Sequence, residues 1–141
     1  MHIYGAGPEA EAIGKLKNPE IVFHGEIDRA KLHQEITKYD IGFIPLVNRI
    51  YGSVPSKIFE YTKLGLPILY YAGGEGEGLV TDYKLGWSIP VNNINFLQQF
   101  IDELSKEKLN EFPKDMVKKK ADLLFDFHKQ FKMFNTKIES L

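Results

Sequence analysis

Short apolar runs alternate with segments of helical spacing from the N-terminus to about Lys106. The apolar runs are continuous, which is typical of strands buried on both faces of a parallel sheet. They predict strands at residues 3–4, 21–23, 41–44, 68–71 and 87–89. The segments between and after them predict helices at residues 9–17, 29–39, 54–64, 77–84 and 95–106. This order predicts an α/β fold with a Rossmann-like, doubly wound parallel sheet and helices on both faces.

The pattern changes after Pro113, where apolar residues recur at steps of three and four and predict one long amphipathic helix. Its apolar stripe consists of Leu124, Phe127, Phe131, Phe134, Ile138 and Leu141. We therefore divide the chain into an α/β domain at residues 1–113 and a C-terminal helix at residues 114–141. The stripe fits packing on the protein's own sheet as well as docking on another domain or on a second copy of the chain, as a homodimer.

Composition excludes several classes of function. The 141 residues suit one compact domain, and the absence of cysteine excludes disulfides, thiol catalysis and thiolate metal sites. The four histidines show no metal-ligand spacing, so we predict no metal site. The formal net charge of −1 offers no field that would attract nucleic acid. No segment approaches the ~20 apolar residues of a membrane span, and we predict a cytoplasmic protein.

Charge is distributed unevenly along the chain. Residues 114–141 contain seven lysines and four acidic residues, whereas the first 113 residues carry a net charge of −4. This excess of lysines can favour peripheral contact with the inner face of a membrane, but it suits a solvated helix face better. The first predicted strand is very short and runs directly into a glycine turn, so we expect the sequence to begin inside a domain, whether or not Met1 is the native start.

Glycines collect in the segments that follow the predicted strands. Gly5 and Gly7 follow the first strand, Gly25 follows the second, Gly52 lies beyond the third, and residues 72–78 contain four glycines after the fourth. Ligands of an open parallel sheet bind beyond the carboxyl ends of its strands, where glycine lets the backbone approach them. The pattern favours a phosphate-bearing ligand, although turns alone would supply some of these glycines.

The helix predicted after the third strand is the most informative segment. We expect Ser53 to cap this helix, Pro55 to lie in its first turn and Gly65 to end it. Lys57 lies near the positive end of the helix dipole, where a cation is disfavoured. An anion bound by the free N–H groups, by Lys57 and by the hydroxyls of Ser53 and Ser56 would remove this conflict.

Glu60 lies one turn after Lys57 on the same helix face and can accept hydrogen bonds from two neighbouring hydroxyl groups. The alternative is a surface ion pair between Lys57 and Glu60, worth roughly 0.3 kcal/mol. Lysine before glutamate is the weaker order for such a pair, which favours the ligand hypothesis.

Taken together, these motifs resemble the donor domain of GT-B glycosyltransferases, particularly retaining, family-4-like enzymes of surface polysaccharide biosynthesis. The matching segments are Ile-Tyr-Gly-Ala-Gly-Pro at 3–8, Phe-His-Gly at 23–25, an aspartate-led strand ending in proline at 40–45, Pro-Ser-Lys-Ile-Phe-Glu-Tyr at 55–61 and Gly-Leu-Pro at 65–67. The resemblance covers roughly residues 2–105, and the order and spacing of the motifs are more specific than any one of them.

The resemblance implies a sugar donor of the UDP- or GDP-sugar type, no further cofactor, and a polysaccharide or lipid-linked acceptor. Glu60 matches the acid that binds the nucleotide ribose hydroxyls in such enzymes. The resemblance also implies that Lys57, Ser53 and the adjacent backbone lie against the diphosphate, and that the turn at Gly25 and Glu26 borders the base. It identifies no catalytic residue.

The chain departs from the family pattern in two ways. Many relatives carry a second glutamate eight residues before the ribose-binding one, but this chain has Gly52 there, so a carboxylate contact with the donor sugar is not implied. The basic residues of the first strand–loop and the N-terminal acceptor domain are also missing, and Arg49 is either a substitute for that charge or a solvated loop residue. Because transfer depends on positioning across a cleft between two domains, we expect weak donor binding and negligible transfer by this chain alone.

Two other functions fit parts of the sequence. Gly5, Gly7 and Ala10 match the G-x-G-x-x-A motif of NAD-type dinucleotide-binding domains, with Glu26 about 20 residues later. That hypothesis leaves the segment around Glu60 unexplained and puts Pro8 in the turn that would wrap the pyrophosphate. A non-catalytic α/β interaction module would bind its partner through the C-terminal stripe and would need no site. The sequence contains neither a G-x-S-x-G elbow nor a P-loop motif.

Overall fold

The computed structural model describes residues 1–46 and 52–140. The chain forms two compact units, Met1–Lys38 and Tyr39–Leu141. In the first unit, β1 (His2–Ile3) pairs in parallel with β2 (Val22–Phe23). Each strand is followed by a helix, α1 (Ala10–Gly14) after β1 and α2 (Arg29–Ile36) after β2. The side chain of Asp28 caps α2 by accepting hydrogen bonds from the backbone N–H groups of its first turn.

The second unit contains three parallel strands in the order of the sequence. These are β3 (Gly42–Pro45), β4 (Ile68–Tyr71) and β5 (Gly86–Ile89). The helix α3 (Ser56–Lys63) connects β3 to β4, and α4 (Glu75–Asp82) connects β4 to β5. The predicted α/β class with parallel strands is therefore confirmed, and the described strands form two small sheets.

Helices cover both faces of the three-stranded sheet, because successive residues of β4 point to opposite sides. On one face, Ile68 and Tyr70 pack with Ile58 of α3 and Val80 of α4. On the other face, Leu69 packs with Leu97 and Phe100 of the helix α5 (Ile94–Asp102). All seven of these side chains are buried, in two separate apolar clusters, which fixes the orientation of β4 and of the helices around it.

The helix predicted at residues 95–106 is two helices, α5 and α6 (Lys106–Leu109). Ser105 begins the second of them, because its hydroxyl accepts a hydrogen bond from the backbone N–H of Lys108. At the other end of α3, Gly65 adopts a φ of 86° directly after the C-cap, as a helix-ending glycine should.

The C-terminal segment also differs from the prediction of one long helix. It consists of α7 (Lys114–Leu124) and α8 (Phe127–Glu139). Asp126 separates them, because its carboxylate accepts a hydrogen bond from the backbone N–H of Lys129, 3.0 Å away, and so caps a new helix. Val117 and Ala121 of α7 are fully buried, whereas α8 has no buried residue. No helix within residues 1–46 and 52–140 combines the length and the apolar character needed to cross a membrane.

Candidate functional site

In the first unit, Gly5 and Gly25 meet just beyond the ends of β1 and β2. The backbone N–H of Gly5 donates a hydrogen bond to the carbonyl oxygen of Gly25, at 2.8 Å. Both residues have positive φ values, 132° and 68°, so the turn itself requires glycine at these positions. Gly7 has no positive φ, and no described atom lies within 4 Å of the place where its Cβ would stand. Neither backbone conformation nor packing therefore requires glycine at position 7, which leaves close approach of a ligand as a physical reason for it.

Aromatic rings lie beside this glycine turn. The ring of His24 stacks on that of Tyr4, with centroids 4.3 Å apart and planes 5° from parallel. The Nε2 atom of His24 lies 2.8 Å from Nδ1 of His2. Glu26 follows Gly25 and is exposed. Flat ring faces beside peptide groups suit contact with a planar base. Tyr4 and His24 are not among the residues predicted from the sequence, although each directly follows a strand.

In the second unit, α3 begins at Ser56 with Pro55 as its N-cap residue. The prediction that Ser53 caps this helix was wrong. Proline disfavours helical backbone at the residue before it, so Val54 cannot start the helix and Ser53 lies two residues before the N-cap. No side chain among the described residues caps α3. Ser53 and Ser56 are both exposed, and their hydroxyls are not used to cap the helix.

Lys57 and Glu60 lie together on the first turns of α3. Their Nζ and Oε2 atoms are 2.5 Å apart, with 46% of the lysine side chain and 17% of the glutamate side chain exposed. The ion pair considered as the alternative to a ligand is therefore present. The ammonium group of Lys57 also lies 5.7 Å from the ring centroid of Tyr61. Burial raises the pKa of Tyr61, which Lys57 lowers and Glu60 raises to smaller extents. The helix thus presents a carboxylate and a partly exposed ammonium group on one face.

The segments that follow β3 and β4 meet at Gly52. Its backbone N–H donates a hydrogen bond to Oε1 of Glu75, 3.4 Å away, from the start of α4. Gly52 has a φ of 69°, and no described atom approaches its Cβ position within 4 Å. Glu75 therefore brings a carboxylate to the backbone of Gly52. The sequence pattern predicts the glycines of residues 72–78 at this site but not Glu75, because this contact joins residues 23 positions apart.

Tyr70 contacts the loop between β4 and α4. Its side chain is only 1% exposed, and its hydroxyl donates a hydrogen bond to the carbonyl oxygen of Gly73, 3.3 Å away. Burial raises the pKa of Tyr70, and the nearby carboxylates of Glu77 and Glu75 raise it further. The hydroxyl therefore keeps the proton that holds the loop in place.

A cavity of about 290 Å³ lies elsewhere in the second unit. Its lining includes Asp40 and Pro67, which precede β3 and β4, and Lys106 and Lys114 from later helices. It therefore lies toward the amino ends of these strands, whereas the predicted site lies beyond their carboxyl ends. Lys114 already donates a hydrogen bond to the carbonyl oxygen of Tyr39. We attach no ligand to this cavity.

Arg49 lies outside the described residues. Among residues 1–46 and 52–140, no group of three or more histidine, aspartate or glutamate side chains is arranged to hold a metal ion. Gly5, Gly7, Gly25 and Glu26 belong to the first unit, and the other predicted site residues belong to the second.

Comparison with protein-family models, with curated proteins and with solved structures gave no match to this chain.

Proposed function

We propose that this protein is the donor-binding part of a glycosyltransferase that transfers a sugar from a nucleotide-diphosphate sugar to a polysaccharide or lipid-linked acceptor. The observation that carries the proposal is the pairing of Lys57 with Glu60 on the first turns of α3, next to two exposed serines. An anion and a diol are adjacent parts of a nucleoside diphosphate, and this helix face offers a group suited to each. The domain would be a Rossmann-like, doubly wound α/β domain.

Glu60 would bind the two ribose hydroxyls of the nucleotide. Its side chain is only 17% exposed, so a hydrogen bond to it is shielded from competing water. One carboxylate can accept hydrogen bonds from two neighbouring hydroxyls. The ion pair with Lys57 holds this carboxylate on the helix face before the ligand arrives.

Lys57 would bind the diphosphate together with the hydroxyls of Ser53 and Ser56. Its ammonium group is 46% exposed and has three donors, so it can keep one contact with Glu60 and still face a phosphate oxygen. The N-terminus of α3 carries the positive end of the helix dipole, which favours the same anion. Gly52 precedes Ser53 and contacts Glu75. Glu75 would accept a hydrogen bond from a sugar hydroxyl there.

Taken by itself, the first unit has a turn at Gly25 and Glu26 whose main-chain groups would suit contact with a base. In the same unit, Gly5 and Gly7 would let the backbone come close to a ligand, as the open space at the Cβ position of Gly7 permits. We assign no catalytic residue. Sugar transfer breaks the bond between the anomeric carbon and the diphosphate, while the acceptor oxygen bonds to that carbon and its hydroxyl loses a proton. An acceptor-binding domain of the kind that the resemblance implies would position this acceptor. An enzyme of this class would work in the cytoplasm, at the inner face of the membrane where a lipid-linked acceptor is displayed.

The direct test is titration of the protein with UDP, GDP and NAD, measured by calorimetry or by NMR shifts. Glu60→Gln removes the charge of the carboxylate that is proposed to bind the ribose, while keeping the shape of the side chain. Glu35→Gln is the matched control, because Glu35 also forms an ion pair with a lysine three residues away, at 2.7 Å, on α2. We expect UDP or GDP to bind the parent and the Glu35→Gln variant, and to bind Glu60→Gln at least about tenfold more weakly, as when a hydrogen bond to a charged group is lost.

Each alternative function gives a different result. Binding of NAD alone, with Glu26→Gln rather than Glu60→Gln abolishing it, would replace the proposal with a dinucleotide-binding domain. The absence of binding by any nucleotide at millimolar concentration would refute the donor-binding proposal and favour an interaction module.

A further inference from the structure

The apolar stripe of α8 is uncovered along the whole length of the helix. Phe127, Phe131, Phe134 and Ile138 are between 51% and 68% exposed. At 3.6 residues per turn they fall within a narrow arc of the helix, and the rings of Phe127 and Phe131 stack with centroids 5.8 Å apart. Four large apolar side chains in one exposed row mark a surface that contacts something other than water.

Three lysines lie on the rest of the α8 circumference. Lys129, Lys132 and Lys137 lie outside the apolar arc, and Glu139 is the helix's one acidic residue. Within the described part of the chain these three lysines form no ion pair, whereas Lys118 of α7 pairs with Asp122 at 2.7 Å. The three lysines outnumber Glu139 and the capping Asp126, so residues 126–139 carry a net charge of +1, which suits an anionic partner.

We propose that α8 docks on an anionic phospholipid surface, lying in the plane of the membrane. Phe127, Phe131, Phe134 and Ile138 would enter the boundary between headgroups and acyl chains, while the lysines stay among the headgroups. With 13 residues the helix is about 20 Å long, so it can lie on a bilayer but cannot cross it. This inference does not depend on the proposed glycosyltransferase function.

A second copy of the chain fits the same surface less well. The four side chains expose on the order of 400 Å² together, about half of the ~800 Å² per partner in a standard protein interface. Pairing two such helices would also bring two sets of lysines of the same charge together. A lipid surface has no such minimum area, and its negative charge matches the helix.

The test is co-sedimentation of the full chain with vesicles of phosphatidylcholine alone and of phosphatidylcholine with 30% phosphatidylglycerol. Phe131→Ser shortens the stripe without changing charge, and Phe96→Ser is its control, because Phe96 is an equally exposed phenylalanine on α5 (55% against 51%). Lys132→Gln with Lys137→Gln removes two charges from α8. Its control is Lys17→Gln with Lys31→Gln, two exposed lysines of the first unit.

We expect binding to the anionic vesicles, weakened at least about tenfold by Phe131→Ser and by the α8 lysine variant, but not by either control. Quenching of a Phe134→Trp variant by brominated lipid, beyond that of the parent with Trp87 alone, would show insertion of the stripe. Three results would overturn the proposal. The first is that the chain binds neither kind of vesicle. The second is that Phe131→Ser leaves binding to the anionic vesicles unchanged. The third is that the chain dimerises without vesicles in sedimentation equilibrium and that Phe131→Ser abolishes this dimer.

Discussion

The hydroxyl of Tyr70 donates a hydrogen bond to the carbonyl oxygen of Gly73, at 3.3 Å, and thereby joins β4 to the loop that leads into α4. The same phenol lies directly beneath Gly76 in the first turn of α4. A strand residue thus holds the position of the glycine-rich loop, at the edge of the sheet where the ligand is proposed to bind. The loop should therefore be sensitive to substitutions that change its packing against Tyr70.

Gly76→Ala should destabilise the protein. A Cβ at position 76 would overlap the Tyr70 hydroxyl and crowd the δ-methyl group of Ile58, and overpacking of this kind costs about 1–3 kcal/mol. Gly78→Ala is the control in the same helix, because its nearest neighbour is an Asp82 oxygen at an ordinary 3.6 Å. We expect Gly78→Ala to raise the free energy of unfolding by up to about 1 kcal/mol. Urea denaturation of both variants checks this, and equal stability of the two would contradict the described packing.

The raised pKa of Tyr70 predicts a loss of stability at alkaline pH. An unfolded tyrosine ionises near pH 10, whereas the folded protein, which buries Tyr70, holds the proton to higher pH. Its contribution is fully present below that unfolded pKa and is lost as the pH rises through the folded pKa. Tyr70→Phe should therefore flatten the decline of the unfolding free energy above about pH 10. Denaturant titrations at several pH values measure it, with Tyr83→Phe as a control whose ring is 45% exposed.

Lys57→Gln should separate binding from stability. The Lys57 side chain is 46% exposed, so we expect the free energy of unfolding to change by less than about 0.5 kcal/mol. Nucleoside diphosphate affinity should fall at least about tenfold, since a charge-assisted contact to phosphate is removed. Lys38→Gln breaks the comparable ion pair between Glu35 of α2 and Lys38, which lies just beyond that helix, and should leave affinity unchanged. Equal effects of the two variants on UDP or GDP titrations would show that Lys57 serves only its surface ion pair.

Substitutions in the first unit should distinguish two kinds of glycine. Gly7→Ala should be neutral or stabilising by up to about 1 kcal/mol, because the position is open and needs no positive φ. Gly25→Ala should cost about 1–2 kcal/mol, because its φ of 68° is unfavourable for alanine. Thermal or urea unfolding measures both changes. If the ligand approaches the backbone at Gly7, Gly7→Ala should also weaken nucleotide binding; unchanged binding would remove Gly7 from the site.

The sequence by itself determined the features that depend on local periodicity. The apolar run at residues 68–71 is the strand β4 with the same bounds, and Lys57 and Glu60 meet because residues three apart share a helix face. Pro55 and Asp126 show the limit of local analysis. Both residues are visible in the sequence: Pro55 disfavours helical backbone at the residue before it, and the carboxylate of Asp126 can cap a new helix. In each case, however, the apolar pattern continues across the residue and favours a longer helix.

Only the tertiary structure decided which groups from distant segments meet. The Glu75 carboxylate reaches the Gly52 amide, and the Tyr70 hydroxyl lies below α4, because the parallel pairing of β3, β4 and β5 brings the ends of these strands to one edge. No periodicity encodes that contact. The tertiary structure also decided which part of the C-terminal segment is buried. Val117 and Ala121 are covered while Phe131 stays in water, because burial depends on the surface that a helix meets and not on its own pattern.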